Sequence, residues 1–456
     1  MSTEDSPLQA QRIAETNSLL PIPTPPPHEP PADGPPRLRR PDRHQVVLRP
    51  ASLDSLLDDD HRARMVWEYV AALDLTPLHA SIRSVEGRAG RDATDPRILM
   101  ALWLYATLDG VGSARQVARL CEEHVAYQWI CGGVSTNYHT LSDFRVAHVE
   151  FLDELLTQSV ATLMHEGLVT LDRVAQDGMR VRASAGAASF RRRKTLEECQ
   201  AEAQEQVEAL AKELEADPAS SNRRQMAARR RAARERSDRI RQALAELAEI
   251  EAKKKDQEEK AKVRVSTTEP GAKVMKMGDG GFRPAHNLQF ATDTDKQVIA
   301  GVAVVNVGSD QGQMPPMVDQ LERRYDKTPG EVLVDGGFAK HEDIETVSAG
   351  EGGTKVYAPV PKPKKGSNRD PHEPLPGDSA TIAEWRERMG RPEAKEIYKE
   401  RASTAECVNA ISRNRGLRQF LVRGARKVLS VALWFAIAHN LMRAVTLRAA
   451  ACVGAV

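Results

Sequence analysis

The chain has 456 residues, well above the usual size of one domain, so we expect about two or three folded units joined by linkers. Its 65 lysines and arginines are balanced by 64 acidic residues, so the net charge of +1 gives no indication of a nucleic-acid partner, and any such signal must be local. The five cysteines lack the CxxC or Cys/His spacing of a zinc site and favour reduced thiols over disulfides. A metal cofactor should therefore lie on carboxylates.

The N-terminal segment and the most apolar segment both predict a soluble protein. Residues 1–48 are rich in proline and predict a disordered or polyproline-like tail. They contain no apolar stretch behind basic residues, as a secretory signal requires. The most apolar run, residues 428–442, is too short for a bilayer and contains His439 and Asn440, so we predict a buried helix and no membrane partner. We expect a cytoplasmic protein.

Residues 49–165 are predicted to be helical. Residues 97–105 are almost wholly apolar, and Gly110 and Gly112 then interrupt the pattern. Ser113 stands at the N-cap position of the next predicted helix. The pattern indicates an all-α N-terminal domain.

Residues 166–445 are predicted to form a mixed α/β domain with a helical insertion. Short apolar stretches at residues 168–183 and 286–305 are typical of strands. Residues 190–262 between them are dominated by Glu, Lys, Arg, Ala and Gln, and predict a charged helical hairpin or coiled coil that turns near Asp217. The alternative is a solvated helical insertion that has no chemistry of its own.

Two segments near the C-terminus are predicted to lie outside the packed elements of the domain, one as a mobile loop and one as a tail. Residues 361–390 are rich in Pro, Lys, Gly and Asp, and their composition is typical of a mobile loop. Residues 446–456 are predicted to form a C-terminal tail. The buried helix expected from residues 428–442 lies between these two segments.

Three acidic residues occur where a shared site is expected. Asp177 lies inside a predicted strand, where a buried charge needs a partner or a metal. Asp335 ends a short apolar strand, at the edge where sites form in open α/β sheets. Glu406 lies on a helix predicted to be capped near residue 403 and to extend to residue 413. Each also has an ordinary explanation, which is an Asp-Gly turn for the two aspartates and a solvated side chain for the glutamate.

Further residues extend this pattern towards a known family. In chain order the residues that carry it are Asp177, Asp335, Tyr398, Arg401, Glu406 and Arg413, together with the segments 274–289 and 415–424. The pattern resembles the RNase H-like catalytic domain of bacterial insertion-sequence DDE transposases, in particular the group with a Tyr, Arg, Glu, Lys signature on the last catalytic helix. The resemblance covers about residues 95–445. It implies an α/β fold, an RNase H-like mixed sheet flanked by helices, into which the charged hairpin is inserted.

The chain departs from the family pattern in three places. Arg413 stands where the family usually has lysine, and His286 stands where an aromatic residue is expected. Four residues separate Arg401 from Glu406, where the general signature has three. The altered spacing leaves Glu400 as a rival for the third acid.

The resemblance implies metal-dependent chemistry on DNA. Asp177, Asp335 and Glu406 would be the catalytic residues and would hold two divalent ions, Mg²⁺ or Mn²⁺. Hydrolysis of a phosphodiester and attack by the freed 3′-OH on a second one are both in-line displacements that two such ions can assist.

The resemblance also implies where DNA is bound. Tyr398, Arg401 and Arg413 would contact DNA next to the carboxylates. The N-terminal domain would read terminal inverted repeats through a fold of helix-turn-helix type. Arg115, Arg119 and Arg145 are its candidate DNA-binding residues, and a helical bundle without DNA contact is the alternative.

We therefore expect a DNA transposase that binds the inverted repeats of an insertion sequence, cleaves DNA and transfers the strands to target DNA. It would act as a homodimer or higher oligomer and would associate with the nucleoid when bound to DNA. One alternative is a transposon-derived DNA-binding or coiled-coil protein without catalysis. Another is a metal-dependent nuclease that does not carry out strand transfer.

Overall fold

The computed structural model describes residues 52–85, 87, 91–216, 223–350, 352–363 and 369–454. The tail predicted over residues 1–48 lies outside them. The helices before the first strand are α1 (Arg62–Ala71), α2 (Thr76–His79), α3 (Pro96–Leu108), α4 (Ala114–Glu123), α5 (Val125–Cys131), α6 (Tyr138–Ala147) and α7 (Val149–His165).

Strands and helices are interspersed in the rest of the chain. The strands are β1 (Arg173–Arg182), β2 (Phe190–Arg191), β3 (Val265–Ser266), β4 (Lys273–Lys276), β5 (Phe282–Asp293), β6 (Ile299–Val305), β7 (Glu331–Leu333) and β8 (Lys355–Tyr357). The helices are α8 (Arg193–Ala216), α9 (Arg223–Ala252), α10 (Gln257–Lys262), α11 (Met314–Tyr325), α12 (His341–Val347), α13 (Ala380–Gly390), α14 (Pro392–Arg401), α15 (Cys407–Asn414) and α16 (Ala425–Gly454). A π-helical segment, Ala402–Glu406, joins α14 to α15.

Helix α3 lies at the centre of the N-terminal helical region. The side chain of Asp95 caps it by accepting the N–H of Arg97 at 2.8 Å, and Pro96 occupies the first helical position. Every residue from Ile98 to Leu108 is buried, because α1, α5 and α16 pack around the helix. The predicted helical region is confirmed, and it shares one hydrophobic core with the sheet.

A six-stranded mixed sheet forms the centre of the described residues that follow α7. Its order is β4-β5-β1-β7-β8, and β6 also pairs with β5. Strand β1 runs antiparallel to β5 on one side and parallel to β7 on the other, and β8 runs parallel to β7. The mixed α/β architecture predicted from the sequence is confirmed, and β1 is the strand between its antiparallel and parallel halves.

Helix α16 supports both the sheet and the N-terminal helices. The side chain of Asn440 accepts the N–H of Ile299 at 2.9 Å and donates to its carbonyl at 2.8 Å. His439 Nε2 lies 2.7 Å from the carbonyl oxygen of Gln297. By length and composition alone α16 could cross a membrane, but 72% of its apolar window is buried inside the protein. The predicted buried helix is confirmed, and its backbone continues to Gly454 through most of the predicted tail.

The charged insertion contains the two predicted helices. Helices α8 and α9 pack against each other, and the turn predicted near Asp217 lies outside the described residues. The buried apolar residues at the base of the insertion are Leu196, Ala243, Leu247, Val263 and Val265. This cluster is separate from the main core.

The mobile loop predicted over residues 361–390 is wrong over its last part. Helix α13 begins after Ser379 and buries Ile382, Trp385 and Met389. Composition averaged over the whole segment conceals this helix, because the three buried residues recur at helical spacing only at its end.

Candidate active site

Asp177 lies in the middle of a strand. The pairing of β1 with β5 continues past it to Arg182, so the alternative explanation of an Asp-Gly turn is wrong here. Its Oδ1 accepts the N–H of Gly178 at 2.9 Å, and its Oδ2 accepts a hydrogen bond from Nδ2 of Asn409 at 2.9 Å. Nη1 of Arg401 is 3.9 Å from the same Oδ2. The carboxylate is thus held between its own strand and the helix that carries Asn409.

The charge of Asp177 is costly in this position. Burial raises the pKa of its carboxyl group to about 6. The positive charge of Arg401 opposes this rise, whereas the negative charges of Asp335 and Asp310 add to it. A cation bound near these carboxylates would reverse the effect.

Asp335 lies two residues beyond the end of β7, the strand next to β1. Parallel pairing joins Ala175 to Leu333, and neighbouring strands lie about 4.8 Å apart. The negative charge of Asp335 raises the pKa of Asp177, so the two acids lie near each other. The prediction of neighbouring strands is confirmed for β1 and β7, with Asp335 just past the end of β7.

The second glycine after Asp335 allows a close approach. The N–H of Gly337 donates to Oδ1 of Asp335 at 2.8 Å, and a Cβ at Gly337 would lie only 2.9 Å from that oxygen. A Cβ at Gly336 would meet no described atom within 4 Å. The first glycine is therefore not required for packing, and the second leaves room for the carboxylate of Asp335, which folds back over the backbone.

Glu406 lies in a continuous helix that contains one wide turn. Helices α14 and α15 run into each other through the π segment Ala402–Glu406, so the separate helix predicted to be capped near residue 403 is wrong. A π turn accommodates one extra residue within an α-helix. It brings Nη2 of Arg401 to 2.8 Å from Oε1 of Glu406, although the two residues are five positions apart. The wide turn therefore accommodates the one residue by which the spacing of Arg401 and Glu406 exceeds the family signature.

Glu400, the rival for the third acid, has a different partner. Nη1 of Arg173 binds both of its carboxylate oxygens, at 2.9 and 2.8 Å, and Nε of Arg173 also binds Glu331 at 2.5 Å. Glu406 is instead connected to Asp177 through Arg401. This arrangement favours Glu406 as the residue that belongs with Asp177.

The three residues expected to contact DNA near the acids differ in exposure. The side chain of Arg401 is 14% exposed, and its guanidinium lies 5.9 Å from the ring centre of half-buried Tyr398. Arg413 is exposed, and its side chain forms no hydrogen bond or ion pair with another described residue. An ordinary explanation for both arginines is pairing with nearby acids, and Arg401 does pair with Asp177 and Glu406. Glu396 and Glu400 have other partners, Lys399 and Arg173.

The structure adds a fourth carboxylate, Asp310, which the sequence analysis did not identify. It is buried and accepts hydrogen bonds from Asn287 at 2.7 Å, from Gln289 at 2.8 Å and from Arg180 at 2.9 Å. A Cβ at Gly178 would lie 2.2 Å from its Oδ1. Gly178 is therefore required so that Asp310 and its two amide partners can cover β1. The one sequence signal was the pair of amide residues at alternate positions of an apolar strand.

The donor chemistry of the site fits a hard divalent cation, and its geometry is open. Carboxylate oxygens are the ligands that Mg²⁺ and Mn²⁺ prefer. Among the described residues, no three His, Cys, Asp or Glu side chains converge closely enough to hold an ion. The guanidinium of Arg401 lies between Asp177 and Glu406 and forms ion pairs with both. The raised pKa of Asp177 shows that this one cation does not offset burial and the neighbouring negative charges.

The three arginines expected to bind DNA in the N-terminal region lie in different environments. Arg115 is exposed and its guanidinium lies 5.0 Å from the ring centre of Tyr138, and exposed Arg119 pairs with Glu123 at 3.6 Å. Arg145 is only 6% exposed, and burial lowers its pKa to about 10.

The buried position of Arg145 conflicts with a DNA contact. Its Nη1 donates to the carbonyl of Gly112 at 2.5 Å, and its guanidinium lies 4.5 Å from the ring centre of Trp103. The side chain therefore joins parts of the helical core. The sequence analysis placed it on the surface because arginine is seldom buried.

Comparison with known families adds two matches. A family described as Transposase domain (DUF772) matches residues 51–147, and a family described as Transposase DDE domain matches residues 378–445. The second match contains Arg401 and Glu406. No curated protein and no solved structure matches the chain. The two matched transposase domains, one before and one after the strands of the sheet in chain order, support an insertion-sequence DDE transposase.

Proposed function

We propose that this transposase cleaves DNA at the ends of its insertion sequence and transfers the freed strands to target DNA, with Asp177, Asp335 and Glu406 as the catalytic carboxylates. The observation that carries the proposal is the parallel pairing of the strand of Asp177 with the strand that precedes Asp335, close enough for the charge of Asp335 to raise the pKa of Asp177. Arg401 joins Asp177 to Glu406. The sheet order, with Asp177 on the strand between the antiparallel and parallel halves, supports an RNase H-like domain.

The carboxylates would hold two Mg²⁺ or Mn²⁺ ions, as the family generally uses divalent metals. Bound there, the ions would stabilise the entering and leaving oxygens of an in-line displacement at phosphorus. Asp177, Asp335 and Glu406 would be the residues that hold the ions. Asn409 donates to one oxygen of Asp177 and keeps its carboxylate oriented.

Arg401 would exchange its partners when DNA and metal are bound. In the structure its guanidinium pairs with Asp177 and Glu406. The same charge could bind a phosphate next to the scissile bond once cations neutralise the carboxylates. Tyr398 would stack on a base, and exposed Arg413 would bind a further phosphate.

The helices before β1 would bind the terminal inverted repeats. Arg115 is exposed at the start of α4, and Arg119 is exposed on its second half. Both side chains are accessible to a DNA backbone. Arg145 is omitted from this surface because it is buried. We propose that two or more copies assemble on the paired ends, since strand transfer has to act on both.

The test is incubation of the full chain with linear DNA that carries the ends of the element, with Mg²⁺ or with EDTA. Cleavage and strand-transfer products that require Mg²⁺ are the expected result. End binding without any product would indicate a DNA-binding protein without catalysis. Cleavage that never yields joined products would indicate a nuclease. Either outcome would overturn the proposal.

A further inference from the structure

The inserted hairpin separates its charges between two helices. Residues 223–241 of α9 contain nine arginines against two acids, Glu235 and Asp238. Helix α8 contains seven glutamates against Arg193, Lys194 and Lys212. The whole-chain charge of +1 conceals this separation. A local excess of positive charge on one helix is the electrostatic feature expected of a surface that binds nucleic acid.

Three of the arginines on α9 are exposed and have no partner. Arg229, Arg231 and Arg234 form no ion pair or side-chain hydrogen bond with any described residue. Arg231 and Arg234 are three positions apart and therefore lie on one face of the helix. By contrast, Arg236 contacts Glu202 at 3.8 Å and Gln206 at 3.3 Å on α8. The arginines on the outer face are thus the ones free to bind an external anion.

Further cations connect this face with the body of the protein. A cleft of about 290 Å³ at the base of the insertion is lined by Arg236, Arg239 and Arg423. Burial raises the pKa of Glu269, and the N–H of Gly424 and the charges of Arg423, Lys427 and Arg239 oppose the rise, so these cations lie within electrostatic range of one carboxylate.

The cations continue towards the helix that carries Glu406. Nε of Arg418 donates to the carbonyl of Arg413 at 3.2 Å, and Arg418 precedes Arg423 on the segment that follows α15. A series of basic residues therefore extends from the end of α15 to the outer face of α9. We call it the basic track, and its members are Arg413, Arg418, Arg423, Lys427, Arg239, Arg236, Arg234 and Arg231.

We propose that the inserted hairpin is a DNA-binding arm. Its outer face on α9 binds the phosphate backbone of duplex DNA, and this duplex runs from the catalytic carboxylates along the basic track. The proposal rests on the proposed function only for the source of the DNA. Binding of the phosphate backbone by exposed arginines on a helix face is expected to be independent of base sequence.

The test uses the full chain and a linear duplex of arbitrary sequence, with affinity measured over a series of salt concentrations. Arg231→Gln and Arg234→Gln, combined in one protein, should reduce the slope of log affinity against log salt by about two, since each phosphate contact contributes about 0.9. Glutamine is a good helix former, so α9 should be preserved. Arg323→Gln, at an exposed arginine on the last turn of α11, is the matched control and should leave the slope unchanged.

Two results would overturn the proposal. One is a salt slope and a sedimentation mass that are both the same in the double variant, the control and the unmodified protein. The other is an unchanged salt slope with a changed sedimentation mass in the double variant, which would mean that the basic face binds the acidic α8 of a second copy. Cleavage of end-bearing DNA, measured in parallel, separates this surface from the catalytic site. If the unmodified protein never cleaves DNA and the double variant still has the smaller salt slope, the DNA-binding arm is supported and the proposed function is wrong.

Discussion

Nη2 of Arg401 lies 2.8 Å from Oε1 of Glu406 across a π turn, and the same guanidinium is 3.9 Å from Asp177. The turn Ala402–Glu406 accommodates one extra residue, so the side chains of the flanking α turns stay on the same faces of the helix as they would without it. The strand that carries Asp177 and the helix that carries Glu406 are thereby joined through one cation. The position of the third acid depends on this local widening.

Deletion of Ala402 should convert the wide turn into a regular α turn. Arg401 and Glu406 would then be four positions apart, which still places them on one face. We expect the deletion to preserve the fold and to keep DNA cleavage within about tenfold of the unmodified protein. Deletion of Ala410, in the regular helix α15, is the control and should rotate every later residue by about 100° and lower the melting temperature. Equal loss of stability in both deletions would contradict the role assigned to the π turn.

Gly178→Ala should destabilise the protein by about 1–3 kcal/mol, because overpacking a filled site forces its neighbours to move. The added Cβ would lie 2.2 Å from Oδ1 of Asp310 and 2.6 Å from Nε2 of Gln289. Gly336→Ala, next to Asp335, should cost little, since no described atom lies within 4 Å of its Cβ position. Urea denaturation of the two variants gives the comparison. A Gly178→Ala protein as stable as Gly336→Ala would show that Asp310 does not cover β1.

The pH dependence of stability should reveal the cost of the charge on Asp177 in the absence of metal. Its pKa is raised from 3.8 to about 6 in the folded protein, so the folded state binds a proton that the unfolded state has already lost between these values. The protonated Asp177 therefore adds to the free energy of unfolding below about pH 4, and this contribution is lost as pH rises through about 6.

The variant Asp177→Asn lacks this titration. In EDTA we expect it to become more stable than the unmodified protein by about 2 kcal/mol at pH 7 to 8, with the difference vanishing towards pH 4. Parallel stability curves for the two proteins across this range, measured by urea denaturation, would refute the raised pKa.

Arg413→Ala should weaken DNA binding and reduce its salt slope by about one phosphate contact. The side chain is exposed, has no partner among the described residues and lies two helical turns beyond Glu406. Arg323→Ala removes an equivalent charge on α11 and serves as the control. If both variants keep the slope and the cleavage rate of the unmodified protein, Arg413 has no role at the DNA.

Much of the site could be predicted from the sequence because strand-Asp-Gly motifs are local. The patterns around Asp177 and Asp335 predicted two acids on neighbouring strands, and parallel pairing of β1 with β7 confirms it. Asp310 could not be found in this way, because it follows no comparable motif and its three partners lie on β1 and β5. The burial of Arg145 was also missed, since a guanidinium held by Gly112 and Trp103 depends on packing between distant helices.

The central claim is that Asp177, Asp335 and Glu406 share one metal-dependent site, and the most direct test is the cleavage rate of end-bearing DNA in Mg²⁺. We predict that Asp177→Asn, Asp335→Asn and Glu406→Gln each abolish cleavage and leave end binding nearly intact. Glu400→Gln, which removes one of the two acidic partners of Arg173, should retain cleavage. Cleavage that survives in Glu406→Gln and disappears in Glu400→Gln, or that survives the loss of either aspartate, would contradict this assignment.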